Sequence, residues 1–259
     1  MRKVIADHVV EDIHYPVEGN YIIRLKSHVN IPPVKPGNFA QLLINNSPDV
    51  FLRRPFSILN VDYKKRIISF YVKIIGKGTG QLGKYKKGDK VNAIYPLGNS
   101  FSIPGLGNKA LLVGGGSGIA PFILLAKELR KNNIRTTFLL GGKSKKNILL
   151  TEEFEKYGEV LFTTEDGSLG EKGLITDHSI FQSAHFDFDK IYTCGPEPMM
   201  KTIGKIARQR SINCEVSLEN KMACGFGACL CCVTETVEGN KRVCMEGPVF
   251  NVNFLKWQI

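Results

Sequence analysis

Between Met222 and Cys244 the chain reads MACGFGACLCCVTETVEGNKRVC, and no other stretch leaves the fold so little freedom. Cys224, Cys229, Cys232 and Cys244 follow a C-x4-C-x2-C…C pattern, the ligand spacing with which a loop wraps a two-iron, two-sulfur (2Fe-2S) cluster. Three thiolates must surround one side of a compact inorganic core, and Gly225, Gly227 and Ala228 let the backbone turn tightly enough to do so. The fourth ligand then arrives from a hairpin. A structural zinc site would pair its ligands as C-x2-C with a second pair or with histidines. Neither is present, and the five histidines of the chain are dispersed.

Five of the seven cysteines fall within 224–244, which points to a metal site in a reducing compartment rather than to a disulfide framework. The N-terminus MRKVIADHVVEDIHYP breaks its apolar residues with charges and offers no signal-peptide core. The longest uncharged run, Ala110 to Ala126, holds four glycines, a serine and a proline, and is shorter than the roughly 20 apolar residues of a bilayer span. A soluble, cytoplasmic protein with no membrane association is expected. The net charge of +11 comes from scattered lysines with short clusters at 64–66, 84–87 and 143–146. No basic stripe with interleaved aromatics follows them, so nucleic acid is not an expected partner.

A chain of 259 residues accommodates two modest domains and a small appendage. From Val4 to about Ile103, β-rich runs at 21–27, 38–45, 55–62, 66–74 and 90–97 alternate with turn clusters PVEGN, PPVKPGN, NNSPD and KKGD. Such spacing predicts a small antiparallel barrel. Arg53-Arg54-Pro55-Phe56-Ser57 opens one of its strands and GKGTG (76–80) follows another. A guanidinium, a flat aromatic and a hydroxyl so close together can clamp a phosphate, stack on a ring and meet a ring nitrogen. The glycine-rich segment can offer N–H groups to a pyrophosphate, especially if it opens a helix at Gln81. An ordinary strand with a core Phe56 and a flexible hairpin would read the same way.

Near Gly107 the pattern changes. Strands are predicted at 109–116, 135–142, 159–167, 190–196 and 213–218, separated by helical stretches that include 119–132 and 197–210. This alternation predicts a doubly wound parallel sheet covered by helices. Gly114-Gly115-Gly116-Ser117-Gly118 lies between the first strand and its helix, at the edge where such sheets bind ligands. It departs from G-x-G-x-x-G because Ile119 takes the last glycine's place. The second strand ends in Gly141-Gly142-Lys143-Ser144 without the usual ribose-binding acid, which leaves NAD versus NADP open. CGPEPM (194–199) forms a second loop at that edge: either a close approach for a nicotinamide ring, or a tight turn around a buried cysteine. No nucleophile elbow, metal-binding histidine pair or acid–base dyad is evident, and hydride or electron transfer needs none.

RRPFS, GKGTG, GGGSGIAPF, CGPEPM and C-x4-C-x2-C-x11-C occur here in the order found in the ferredoxin reductase-like superfamily. More narrowly, over nearly its full length, the chain resembles the electron transfer subunits of class 1B dihydroorotate dehydrogenase, most specifically in SLENKMACGFGACLCC (217–232) and EDGSLGEKGLITD (165–177). The resemblance implies an α+β multidomain chain: an FAD-binding β-barrel at 1–104, an NAD-binding α/β domain at 105–215 and a small 2Fe-2S domain at 216–259. It places Arg54 on the FAD phosphates, Pro55, Phe56 and Ser57 beside the ring system, and Ile74, Gly78 and Thr79 along the flavin and its pyrophosphate. Gly115, Gly116 and Gly118 would face the NAD pyrophosphate, and Cys194, Gly195 and Glu197 the nicotinamide. The four pattern cysteines become the cluster ligands and Cys231 a spare thiol. Tyr95 stands where relatives commonly have glycine, leaving the local loop shape open.

A dihydroorotate-oxidising (β/α)8 domain alone needs about 250 residues, so the substrate would bind another polypeptide. The resemblance implies a heterotetramer of two catalytic FMN subunits and two of these chains, serving pyrimidine (UMP) biosynthesis, with the cluster relaying electrons at the interface. The small subunit of an NAD(P)H:ferredoxin oxidoreductase, transhydrogenase or sulfide dehydrogenase shares the pattern, because a short return to the last cysteine occurs there as well. A zinc-stabilised basic binding module is the rival of another class, and would be colourless.

Overall fold

The computed structural model describes residues 2–45, 49–183 and 185–257. Six antiparallel strands close the N-terminal barrel: β1 (Val4–Val17), β2 (Asn20–Ser27), β3 (Phe39–Leu42), β4 (Arg54–Asp62), β5 (Ile67–Lys73) and β6 (Lys90–Leu97), in the order β1-β2-β5-β4-β3-β6. Closure leaves no free edge. Inward residues of the strands, among them Tyr21, Ile23, Leu42, Ile58, Phe70 and Val91, fill the barrel. β1 is absent from the sequence prediction because its valines and isoleucines are interleaved with Asp7, His8, Glu11, Asp12 and His14, so it lacks a clean apolar run. The NNSPD turn falls largely on 46–48, outside the described residues. Helix α1 (Lys77–Gly83) begins four residues before Gln81, so GKGTG forms its N-cap and first turn rather than a loop.

Tyr95 is fully buried, and its hydroxyl lies 2.9 Å from His8 Nε2, while His8 Nδ1 lies 3.0 Å from the Ala6 carbonyl. A donor on Nδ1 leaves Nε2 to accept from the tyrosine. The bulky residue is thus held in the β1–β6 seam, where Tyr95 pairs with Val4.

The central sheet is built from β7 (Lys109–Gly115), β8 (Arg135–Gly142), β9 (Glu159–Thr164), β10 (Glu171–Lys172), β11 (Lys190–Cys194) and β12 (Asn213–Ser217), all parallel, in the order β10-β9-β8-β7-β11-β12. Helices α2 (Phe122–Lys131) and α3 (Thr151–Glu155) cover one face, burying Leu125, Leu129 and Phe154 against Phe138. Helix α4 (Glu197–Gln209) covers the other with Met200, Ile203 and Ala207. Among the described residues no α-helix joins β9 to β11; β10 and short 3-10 turns make that connection.

The C-terminal segment forms a hairpin, β13 (Val233–Thr236) and β14 (Gly239–Arg242), and then returns to the central sheet as β15 (Val249–Asn251), antiparallel to β12. Cys232, Val243 and Cys244 share the α4-side core with Phe39 and Leu97 of the barrel. Barrel, sheet and cysteine segment therefore meet around one apolar junction. Among the described residues no helix is long and apolar enough to cross a membrane.

Candidate functional site

Strand order reverses between β7 and β11, and ligands of such sheets bind beyond the carboxyl ends at this point. The two glycine-bearing loops, 114–118 and 194–196, meet there. Gly115 and Gly116 line two adjoining clefts of about 360 and 400 Å³. Gly195 and Glu197 line the smaller of them. Gly118 faces the protein instead: a Cβ there would lie 2.2 Å from the Cys194 carbonyl oxygen. Cys194 itself is fully buried, and burial, reinforced by Glu219, keeps its thiol far above the usual range. It backs the cleft as a neutral, packed side chain, so of the two readings of CGPEPM the tight turn around a buried cysteine describes the thiol.

A third cleft, of about 310 Å³, opens between barrel and sheet and is lined by Arg54, Pro55, Phe56 and Ser57 of β4 together with Thr79. Gly78 lies beneath Arg54, where a Cβ would come within 3.0 Å of its Nε. The first turn of α1 and the guanidinium thus adjoin, as a phosphate clamp requires. Thr79 Oγ1 accepts the N–H groups of Ile75 (2.9 Å) and Gly76 (3.2 Å), and Tyr21 donates to the Thr79 carbonyl (2.7 Å), fixing this turn. Ile75 lines the cleft, while its neighbour Ile74 lies against α1, where a Cβ at Gly80 would be 3.8 Å from its Cγ2. Lys73 and Ser117 line all three clefts, joining the β4 side to the sheet side. Tyr71 spans two of them; its hydroxyl donates to Asn20 Oδ1 (2.8 Å), and burial pushes it up to about 12. Glu219, just after β12, lines both the β4 cleft and the cleft of about 360 Å³, with its side chain open to solvent. Residues such as Lys73, Tyr71, Ser117 and Glu219 carry no motif; only the folded chain gathers them.

Met222 closes the β4 cleft, and Cys224 lies two residues further on. Gly225, Gly227 and Leu230 take positive φ, curling the loop back on itself. Burial alone would raise the Cys224 thiol; the N–H groups of Phe226, Cys229 and Ala228 and the Cys229 side chain outweigh it and bring Cys224 down to about 6. Such donors favour a thiolate. The hairpin delivers Cys244 to Cys232: Val243 N donates to the Cys232 carbonyl (3.0 Å), and Cys244 N to the Cys232 sulfur (3.4 Å). Burial and the neighbouring Cys232 push Cys244 up to about 12. Arg242 braces this return, pairing with Glu246 (2.5 Å) and donating to the Gly227 carbonyl (3.3 Å).

Among the described residues no three His, Cys, Asp or Glu side chains gather as a single metal ion requires. The four cysteines instead form two contacting pairs, Cys224 with Cys229 and Cys232 with Cys244. N–H groups directed at the sulfurs of Cys224 and Cys232 favour thiolates, and the C-x4-C-x2-C…C spacing assigns these to a two-iron cluster. Cys231 turns outward, its thiol 3.6 Å from the Lys221 carbonyl.

Comparison with known proteins agrees with this geometry. Residues 219–256 match the iron-sulfur cluster binding domain of dihydroorotate dehydrogenase B, and residues 112–205 an oxidoreductase NAD-binding domain. The dihydroorotate dehydrogenase B (NAD(+)) electron transfer subunit of Fusobacterium nucleatum is 36% identical over 95% of this chain and 96% of its own. Its counterpart in Clostridium acetobutylicum is 39% identical over 96% and 95%. Among solved structures, an NADH-dependent reduced ferredoxin-NADP oxidoreductase superposes with a TM-score of 0.89 at 28% identity, over 96% of this chain and 90% of that one. A Neisseria gonorrhoeae ferredoxin NADP+ reductase with bound FAD and NADP shares the fold, with a TM-score of 0.66 at 17% identity over 79% and 91%. Cysteine arrangement, switch-point clefts and full-length relatives converge: the chain belongs to the family of dihydroorotate dehydrogenase B (NAD(+)) electron transfer subunits.

Proposed function

We propose that this chain carries electrons from the FMN of a catalytic dihydroorotate dehydrogenase subunit through a 2Fe-2S cluster and FAD to NAD+. The observation that supports it is contiguity. Met222 lines the β4 cleft two residues before Cys224, and the same cleft shares Lys73, Ser117 and Glu219 with the nicotinamide side. Bound between them, FAD would take single electrons from the cluster side and give up a hydride to NAD+, a conversion no side chain can perform.

The chain's own residues bind and orient. We assign segments 1–104, 105–215 and 216–259 to FAD, NAD and the cluster, with Cys224, Cys229, Cys232 and Cys244 as ligands. Arg54 neutralises FAD phosphate charge; Phe56 and Ser57 sit beside the rings, with Pro55 shaping the strand entry. Gly78, Thr79 and the Ile74–Ile75 turn hold the far end. Gly115, Gly116, Gly195 and Glu197 receive the dinucleotide, while Gly118 and Cys194 support that wall from behind. Glu219 faces the place where flavin and nicotinamide would meet. A carboxyl lining both clefts and open to solvent is suited to exchanging the proton that flavin reduction by electrons alone requires.

Phe226, Leu230 and Met245 expose apolar surface on the cysteine segment. This face docks the catalytic subunit, in an assembly of two catalytic subunits and two of these chains. Co-purification with the native partner, cofactor analysis and dihydroorotate-dependent NAD+ reduction test the reading. A single FMN barrel protein with that activity is expected. The close superposition on the ferredoxin-NADP oxidoreductase favours a second reading, a transhydrogenase-type small subunit. A large dinucleotide-binding flavoprotein as the co-purifying partner would replace the first reading with the second.

A further inference from the structure

Gln41 of β3 is completely buried, and neither its amide nitrogen nor its amide oxygen has a hydrogen-bond partner. Orphaned buried amides are rare because water is forfeited with nothing in return. Its surroundings narrow the choice of partner. Strand alternation puts Gln41 on the same face of β3 as Phe39, and Phe39 belongs to the same buried apolar cluster as Met222, Cys232 and Cys244. Gly225, the residue after Cys224, closes directly onto the amide: a Cβ there would lie 2.5 Å from Gln41 Cγ and 2.6 Å from Nε2. On the other side β3 pairs with β4, Gln41 opposite Pro55 of the RPFS motif, and the Gln41 carbonyl accepts Arg53 Nη1 at 3.3 Å. One side chain therefore stands between the flavin-motif strand and the cysteine loop.

We infer that the Gln41 amide is a cluster-tuning residue: its Nε2 donates to a sulfur of the 2Fe-2S cluster held by the loop, stabilising the reduced state and tying the loop to the flavin strand. The inference rests on the cluster assignment above. Nε2 is the amide atom nearer Gly225, and thiolate or sulfide sulfur accepts an N–H but cannot serve a carbonyl oxygen. Hydrogen bonds to cluster sulfurs are among the factors that set the reduction potential. Reduction adds one electron and no bond, so the donor contributes only by favouring the extra negative charge. A glycine at 225 is required for this approach, since any side chain would occupy the amide's place.

The test is redox titration of the FAD- and iron-loaded protein, monitored by electron paramagnetic resonance, for wild type, Gln41→Met and Gln41→Glu. Methionine keeps length and removes the donor; glutamate keeps shape and replaces the donor with an acceptor. Gln41→Met is expected to lower the equilibrium constant for cluster reduction about tenfold, ~59 mV for one electron, with Gln41→Glu lower still. Proton double-resonance spectra of the reduced cluster should lose one exchangeable coupling in Gln41→Met. If that variant sheds iron while keeping FAD and its thermal stability, the donor is equally implicated, because packing is conserved. Unchanged potential and couplings in an iron-replete Gln41→Met protein overturn the inference. So does joint loss of iron, FAD and stability, which marks a packing role. Absence of iron from the anaerobically purified wild type would instead sink the cluster assignment itself.

Discussion

Replacing Gly118 by alanine separates two reasons for having glycine in the loop after β7. If the glycine exists to let a pyrophosphate approach, an added methyl harms only nucleotide binding. The structure places the methyl against protein: 2.2 Å from the Cys194 carbonyl oxygen and 2.4 Å from its carbon, both backbone atoms that cannot rotate away. The loops at the ends of β7 and β11 must then part. Overpacking of this kind costs about 1–3 kcal/mol, here at the upper end because backbone must move. For a chain of this size about 3 kcal/mol corresponds to a fall of roughly 6–12 °C in unfolding temperature. Gly116→Ala is the matched control. It meets nothing within 4 Å but holds φ +56°, so only a conformational cost of about 1–2 kcal/mol applies. Calorimetry of the FAD-loaded protein without nucleotide, together with NADH titration, reads both effects. Gly118→Ala is expected to be the less stable of the two and to bind NADH at least tenfold more weakly. Undiminished stability without nucleotide in Gly118→Ala would refute the packing argument.

Three further outcomes are expected. Cys229→Ser should abolish the iron–sulfur absorption while FAD is retained, because the ligand loop and the RPFS strand are separate elements; a full cluster spectrum in that variant would overturn the ligand set. Arg54→Ala should weaken FAD retention about 10–100-fold through loss of a charge-assisted phosphate contact, checked by flavin content after dilution and gel filtration. Burial, only partly countered by the Ala6 carbonyl and Asp7, lowers the pKa of His8 below its ordinary value. A depressed histidine leaves the unfolded chain binding the extra proton, so this stabilisation is complete above about pH 6.5 and lost as the pH falls through the folded value. Unfolding temperature should therefore drop more steeply from pH 7 to 5 in wild type than in His8→Gln, and parallel curves would count against it.

What the sequence made legible was what is written locally. The cysteine spacing, the β-rich runs and the alternation of strand and helix each depend on neighbours within a dozen residues, and the barrel, the doubly wound sheet and the cysteine loop followed. β1 escaped because charges interrupt its alternation, and β15 because three residues carry no periodic signal; β1 is held between its hairpin partner β2 and the distant β6, and β15 by β12. The same distinction runs through the site. Arg54, Phe56 and Gly116 sit in motifs, whereas Lys73, Glu219 and Gln41 become informative only once three segments are folded against one another. Cys194 shows the converse: a motif residue that the fold buries behind the wall its neighbours form.

The antiparallel return of β15 onto β12 fastens the metal-binding segment at both ends, by the chain leaving β12 and by the chain re-entering beside it. A module tethered once could swing between donor and acceptor like a shuttle; one clamped twice behaves as a fixed terminal. Turnover would then be paced by arrival and departure of the diffusing partners, dihydroorotate at one end and nicotinamide at the other, and lengthening the 245–248 connector should slow it without altering any cofactor's affinity.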